Sequence, residues 1–299
     1  MKALVTGIAG FIGSHLADRL LSMGCDVVGV DDLSAGYMQN VPEGVTFYKC
    51  SVLHVGRYMH ELRDCDVIFH NAAAKKNVCL KSPEKDLMVN GKETLRLLSV
   101  AHKANPHIKF VHASTGSVYG EVSGIITEET PCKPVSYYGI SKLAGENYVR
   151  LYNEMHGMDT TILRLFHVYG PRQESDPFLG GVIAVFADRI RKGLPVVVHG
   201  DGSQNRLFTY VDDVAQANIV AAMNPAMSGE IYNVANDVQV TVMEAAEQLM
   251  VREGQFVPIE YADTLIGDIY NFNIDSSKIQ KFVKFTSFHD VLKDKKIQL

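Results

Sequence analysis

An apolar strand that runs straight into three spaced glycines leaves a chain few folds to choose from. Lys2-Ala3-Leu4-Val5-Thr6 reads as a buried strand, and Gly7-Ile8-Ala9-Gly10-Phe11-Ile12-Gly13 follows it directly. Helical apolar spacing then continues from about Phe11 through Leu20-Leu21. Strand, tight glycine turn and helix, in that order, are the context a dinucleotide fingerprint requires. Gly7 would allow the turn, Gly10 would let backbone N–H groups reach a pyrophosphate, and Gly13 would let the helix pack close on the strand. A second strand, Val27-Val28-Gly29-Val30, ends at Asp31, about 20 residues past the glycines, where a carboxylate can accept from both adenosine ribose hydroxyls and repel a 2′-phosphate. The expectation is NAD in preference to NADP.

Strands and helices go on alternating through the first half. Asp66-Val67-Ile68-Phe69-His70, Lys109-Phe110-Val111-His112-Ala113 and Thr161-Ile162-Leu163-Arg164-Leu165 read as short buried strands, with helices near residues 86–104 and 138–156 between them. That pattern predicts an α/β fold, a doubly wound parallel sheet of the Rossmann type. The pattern loosens after Gly170-Pro171-Arg172, and Ile231-Tyr232-Asn233-Val234 reads as a strand returning to the sheet. The expected division is therefore interleaved: residues 1–166 plus about 207–236 bind the dinucleotide, and about 167–206 plus 237–299 form a smaller α/β substrate domain.

Within Ser136-Tyr137-Tyr138-Gly139-Ile140-Ser141-Lys142, Tyr138 and Lys142 stand four residues apart. On a helix they share one face with Cβ atoms about 5–6 Å apart, so an ammonium lies beside a phenol. Moving a tyrosine pKa from about 10 to near 7 takes roughly 4 kcal/mol. One charge at about 4 Å in an effective dielectric of about 20 supplies a similar amount, and an oxidised nicotinamide would add a second charge. Tyr138 is accordingly expected to act as a base. On other chains such a pair is often a surface contact only; the upstream glycine loop makes hydride chemistry the better reading.

Composition removes other classes. In 299 residues the formal charge is −5 with no basic cluster, which argues against nucleic acid as a partner. The cysteines Cys25, Cys50, Cys65, Cys79 and Cys132 lack metal-ligand or redox spacing, so reduced thiols and no metal are expected. The first strand begins at residue 2 or 3 and no apolar run is long enough for a bilayer, so a cytoplasmic enzyme without a membrane partner is expected.

Further segments carry a resemblance. They are His70-Asn71-Ala72-Ala73, Ala113-Ser114-Thr115-Gly116-Ser117-Val118-Tyr119-Gly120, Arg164-Leu165-Phe166-His167-Val168-Tyr169-Gly170-Pro171-Arg172-Gln173, and Gly200-Asp201-Gly202-Ser203-Gln204-Asn205-Arg206 leading to Val211-Asp212-Asp213. Together with the glycine loop and the Tyr138/Lys142 pair, they resemble the extended short-chain dehydrogenases, in particular the NAD-dependent nucleotide-sugar epimerase/dehydratase group, over about residues 1–240. The resemblance implies that Thr115, Tyr138 and Lys142 are catalytic. It places Gly7, Gly10, Phe11, Ile12 and Gly13 on the cofactor pyrophosphate side and Asp31, Asp32 and Ser51 toward the adenosine. Ala72, Ala73, Lys75 and Asn90 complete the cofactor set, with Tyr138 and Lys142. Thr115, His167, Arg206 and Phe272 are implied to face the sugar nucleotide.

The implied reaction is 4-epimerisation of a UDP-hexose such as UDP-glucose or UDP-galactose. Tyr138 takes the proton from the sugar 4-hydroxyl while the C4 hydride passes to NAD; the 4-keto sugar rotates and the hydride returns to its other face. Resembling 4,6-dehydratases carry an acid pair after the threonine, and resembling decarboxylases carry a glutamate at the place of Ser117. Neither Gly116 nor Ser117 is a general acid, which favours epimerisation or simple 4-keto reduction. A catalytically silent NAD-binding regulator is a third reading, with no need of Thr115, Tyr138 and Lys142 together.

Departures from the pattern bear on the substrate. His167 stands where the family has an Asn, Leu207 where an Asp follows the Arg, and Ser51 where an Asp meets the adenine amine. Leu265-Ile266-Gly267-Asp268 resembles a stretch that normally supplies an Arg, leaving Arg206 as the diphosphate partner. Lys75 and Lys76 are candidates to reach the cofactor or substrate. Phe272 falls where the resembling epimerases close the pocket around the 2-substituent, so it should disfavour N-acetylated sugars; ordinary core is the alternative. The resemblance also implies a homodimer built on the helices near 86–104 and 138–156, through Leu87, Leu95, Leu98, Val149 and Tyr152, unless that stripe is core against the sheet.

Overall fold

The protein is described by a computed structural model covering residues 1–74, 76–177, 180–264, 273–297 and 299. Its centre is a seven-stranded sheet built on β1 (Lys2–Thr6), β2 (Asp26–Asp31), β3 (Thr46–Lys49), β4 (Val67–His70), β5 (Lys109–Thr115) and β6 (Thr160–Leu165), with Ile231–Val234 as the seventh strand. The order is Ile231–Val234, β6, β5, β4, β1, β2, β3, and every pairing is parallel. Parallel strands buried on both faces need apolar residues at nearly every position. Ala3, Leu4 and Val5 are fully buried, as are Ile68, Phe69, Phe110 and Val111. Chain direction across the sheet reverses between β1 and β4, so a crevice opens at their carboxyl ends, the usual binding place of such sheets.

Helices cover both faces. On the amino-terminal side α1 (Phe11–Ser22) follows the glycine loop. Between β4 and β5 lie α2 (Lys76–Lys81), α3 (Pro83–Leu87), a π-helical turn over Met88–Glu93 and α4 (Thr94–Ala104). The single helix expected near 86–104 is thus interrupted by a turn one residue wider per bond, a feature often found at functional sites. α5 (Tyr137–His156) starts at Ser136, whose hydroxyl accepts from Gly139 N at 3.1 Å, and stops at Gly157 in the left-handed region. Those caps satisfy end groups the helix cannot satisfy itself.

The apolar stripe proposed for a subunit contact divides. Leu98 and Val149 are fully buried with Phe110 and Ile162 against the sheet, Leu95 and Tyr152 are half-buried, and Leu87 is exposed. Leu98 and Val149 are core because α4 and α5 turn those positions inward, so they cannot serve a subunit interface.

A separate apolar cluster forms in the later part of the chain from α6 (Val182–Arg191), α7 (Val211–Met223) through Val211, and α8 (Val242–Glu253), together with Tyr169, Phe208 and Phe288. Short strands Val196–His199 and Ile259–Ala262 pair parallel beside it, and Asn205–Arg206 pairs antiparallel with Val240–Thr241. Among the described residues no helix is long and apolar enough to cross a membrane, and no group of His, Cys, Asp or Glu could hold a metal. None of the five cysteines is in a disulfide.

Candidate active site

The glycine loop makes the turn at the crevice by close backbone contact. Gly7 has φ +69°, and a Cβ on Gly13 would lie 2.2 Å from Gly7 O, so α1 starts tightly against the end of β1. Gly10 precedes α1 with no side-chain cap, and there is no acidic residue in the first turn. The N–H groups of Phe11, Ile12 and Gly13 have no backbone partner among the described residues, the first such bond being Ser14 N to Gly10 O at 3.1 Å. Unpaired amides at the positive end of a helix form an anion site that suits a pyrophosphate.

A cavity of about 370 Å³ extends from this turn. The glycines with Phe11 and Ile12 line one part, and Asp31, Asp32 and Ser51 line another. Ala72 and Ala73 form the wall from β4, where Ala72 N donates to Thr6 Oγ1 at 3.2 Å. Asp31 is held by Ala9 N at 3.0 Å and Leu33 N at 2.8 Å. Burial raises its pKa, partly offset by those two backbone bonds. The donors and the carboxylate fit the two ends of an adenosine diphosphate, so the residues present suit NAD.

Asn90 is placed differently from the wall residues. It is buried, outside the cavity lining, and its Oδ1 accepts from Ala74 N at 3.0 Å while its Nδ2 donates to Asp86 Oδ1 at 2.6 Å and Ser141 Oγ at 3.0 Å. It therefore joins the 72–74 segment to α5 from behind. Lys75 and Phe272 lie outside the described residues, as does the 265–268 stretch.

At the end of β5 the chain brings together Thr115, Tyr138 and Lys142. Thr115 Oγ1 accepts from Ser117 N at 3.2 Å, and its hydroxyl is hydrogen-bonded to Tyr138. Lys142 is buried one helical turn beyond Tyr138 and donates to Ala113 O at 2.6 Å. α5 is held against the sheet by a buried ion pair between Arg164 and Glu146 at 2.8 Å, with Ser114 also donating to Glu146. Removing one member of such a pair would strand a buried charge.

Without cofactor, burial governs the protonation of the pair. Burial pushes the Tyr138 phenol up to about 12, and the neighbouring Cys79 and Asp86 push the same way as burial, while the Thr115 bond opposes it. Lys142 is pushed down to about 8 because burial outweighs the attraction of Glu146 and Asp86. Desolvation penalises both charged forms. Tyr138 therefore holds its proton in the ligand-free protein, and a phenolate needs further positive charge beside it.

His167, one of the residues expected to face the sugar nucleotide, is strained at φ +39°, and burial, reinforced by Arg206, lowers its pKa to about 3. It is a neutral imidazole. Arg206 is largely buried and donates to Asn205 O at 2.8 Å. Leu207 packs with Val118, Tyr119 and Phe166, an apolar setting in which an Asp would be unpaired. At Gly116 a Cβ would fall 2.1 Å from the Phe166 ring. No acid fits there without displacing that ring.

Two features of the cleft had no local signal in the sequence. Glu93, at the end of the π-helical turn, lines the cavity. Tyr37 Oη donates to Glu174 Oε2 at 2.5 Å, joining the loop after β2 to the loop after Tyr169. Both depend on contacts between distant segments.

Comparison with known proteins matches this geometry. The model of the "NAD dependent epimerase/dehydratase family" matches residues 3–235. The chain is 36% identical to a UDP-glucose 4-epimerase of Mycolicibacterium smegmatis over 94% of this chain and 92% of that protein. A Thermus thermophilus UDP-glucose 4-epimerase solved in complex with NAD superposes with a TM-score of 0.85 at 34% identity, covering 94% of this chain and 92% of that one. A UDP-N-acetylglucosamine 4-epimerase of Methanobrevibacter ruminantium, in complex with UDP-N-acetylmuramic acid, superposes at 0.90 with 32% identity over 98% and 94%. With its seven-stranded parallel sheet and its cleft, the chain belongs to the NAD-dependent epimerase/dehydratase family, as an NAD-dependent enzyme of the extended short-chain dehydrogenase type.

Proposed function

We propose that the protein is a UDP-hexose 4-epimerase that interconverts UDP-glucose and UDP-galactose. The observation that carries this reading is the grouping of Thr115, Tyr138 and Lys142 at the end of β5, beside a Gly116 with no space for an acid. Dehydration needs that acid and epimerisation does not. The named UDP-glucose 4-epimerase relatives support the hexose.

In this reading Tyr138 exchanges a proton with the sugar 4-oxygen, and Thr115 bridges the same oxygen and the phenol, since a hydroxyl both donates and accepts. Lys142 supplies the cation beside the phenol and binds the nicotinamide ribose. Bound NAD supplies the acceptor, and then the donor, of the C4 hydride. Arg206 pairs with the diphosphate, and His167, being neutral, offers a hydrogen bond without a charge. The carboxyl-terminal cluster around α6 and α8 is the substrate domain and the sheet is the cofactor domain.

The test is a panel of UDP-sugars given to the purified protein without added cofactor, with products resolved by NMR. UDP-glucose should yield UDP-galactose, with a higher kcat/KM than UDP-N-acetylglucosamine. Equal values for the two would reassign the sugar, and turnover only with added NADH would make the protein a 4-ketoreductase.

Asp31→Ala should raise the affinity for NADP relative to NAD by about tenfold or more, because the 2′-phosphate no longer meets a carboxylate. Dissociation constants from calorimetry check this, and an unchanged ratio would move the ribose elsewhere. A homodimer is the second expectation. α5 leaves Leu151 and Met155 exposed four residues apart, and Leu87 and Met88 are exposed near the end of α3. Light scattering at micromolar protein should give twice the chain mass; a monomer mass would contradict it.

A further inference from the structure

The outer end of the cofactor cleft holds a carboxyl that the reaction does not use. β3 leads into Ser51, whose Oγ accepts from Leu53 N at 3.1 Å and donates to Glu93 Oε1 at 2.8 Å. Ser51 is therefore committed locally, once as a cap and once as a donor. Glu93 is only 6% exposed, yet it lines the same cavity as Asp31, Ser51 and Val52. The Ser51 bond occupies one carboxyl oxygen; the other has no hydrogen bond among the described residues. That second oxygen is not among the buried atoms that lack a partner, so it opens to the cavity, where a ligand donor can reach it.

Position along the cleft says which part of the ligand that is. The amides of α1 take the pyrophosphate and Asp31 takes the adenosine ribose, so the group beyond Asp31, between Ser51 and the helical run 83–104, is the base. A purine with a 6-amino group offers a donor at its edge, and Glu93 is the acceptor available there. The wide turn at Met88–Glu93 lets Asn90 and Glu93 both face inward while Leu87 and Met88 face solvent.

We infer that Glu93, oriented by Ser51, is the residue that recognises the adenine amine of NAD and discriminates against a 6-oxo purine. The inference rests on the ribose lying at Asp31, which the Asp31→Ala measurement tests separately.

The carboxyl can also take a second form. Burial pushes Glu93 up to about 7, Asp32 adds to the shift, and the Ser51 bond opposes it. Tyr58 faces it from beyond the 52–57 turn, and Lys85 and Asp31 share the cavity wall. Above that pH the carboxylate accepts from an amine and repels a carbonyl oxygen; below it the acid can donate to a carbonyl.

The experiment compares binding of NAD and of nicotinamide hypoxanthine dinucleotide, its 6-oxo analogue, to the full-length protein by equilibrium dialysis at pH 6 and pH 8. The two ligands share ribose and pyrophosphate, so pH effects acting on that shared part cancel in their ratio. Wild type should prefer NAD by at least about tenfold at pH 8, and the preference should shrink several-fold at pH 6. Glu93→Gln, whose amide can both accept and donate, should bring the ratio within about threefold and make it independent of pH. A wild-type ratio near one, or one that does not change between pH 6 and pH 8, overturns the inference without any variant; so does a Glu93→Gln ratio equal to that of wild type.

Discussion

Tyr138→Phe is expected to lower kcat by about 10²–10⁴-fold, the usual worth of a positioned general acid or base, while NAD binds almost as before. The substitution removes one oxygen and leaves the ring that packs beside Thr115. In the ligand-free protein that oxygen carries its proton, because burial holds the phenol near 12. Substrate and oxidised cofactor must together make the phenolate accessible, and at neutral pH several pKa units correspond to several times about 1.4 kcal/mol. Lys142, lowered to about 8, is still largely a cation at pH 7 and becomes neutral above pH 8. Steady-state kinetics and a cofactor titration separate the two effects; a variant within tenfold of wild type would remove Tyr138 from the chemistry.

The second large effect is expected at Gly13. A methyl group on this residue would lie 2.2 Å from Gly7 O and 2.8 Å from Gly7 C, both backbone atoms fixed by the turn. Relief requires α1 to move off β1, which carries the Phe11, Ile12 and Gly13 amides out of line with the pyrophosphate. Overpacking of this kind commonly costs about 1–3 kcal/mol and sometimes more, so Gly13→Ala should lower the melting temperature and weaken NAD binding by about a hundredfold. Gly56→Ala is the control: its Cβ would meet nothing within 4 Å, and it should behave as wild type. Normal NAD binding by Gly13→Ala would show that α1 does not hold the pyrophosphate.

What could be read from the sequence was what is local to a few residues. The strand, glycine turn and helix over residues 2–22, the Asp31 strand end and the Tyr138/Lys142 spacing all depend on neighbours within a turn or a strand, and the structure brings the glycines, Asp31, Asp32, Ser51, Ala72 and Ala73 onto one cavity. What could not be read depends on packing between distant segments. The raised Tyr138 pKa comes from burial and from Cys79 and Asp86, more than 50 residues earlier. Leu98 and Val149 look the same on a helical wheel whether they face a sheet or a second subunit, and only the crossing of α4 and α5 over β5 and β6 makes them core. Glu93 looks like an exposed helix residue until the π-helical turn rotates it inward. The role of Asn90 behind the wall required Ala74, Asp86 and Ser141 to meet.

Label retention at C4 tests the central claim most directly. UDP-glucose carrying deuterium at C4, incubated with the purified protein and no added cofactor, should give UDP-galactose that keeps the deuterium at C4, because the hydride leaves and returns within one closed site. Loss of the label to water, or no galactose-configured product unless reduced cofactor is supplied, would contradict a 4-epimerase.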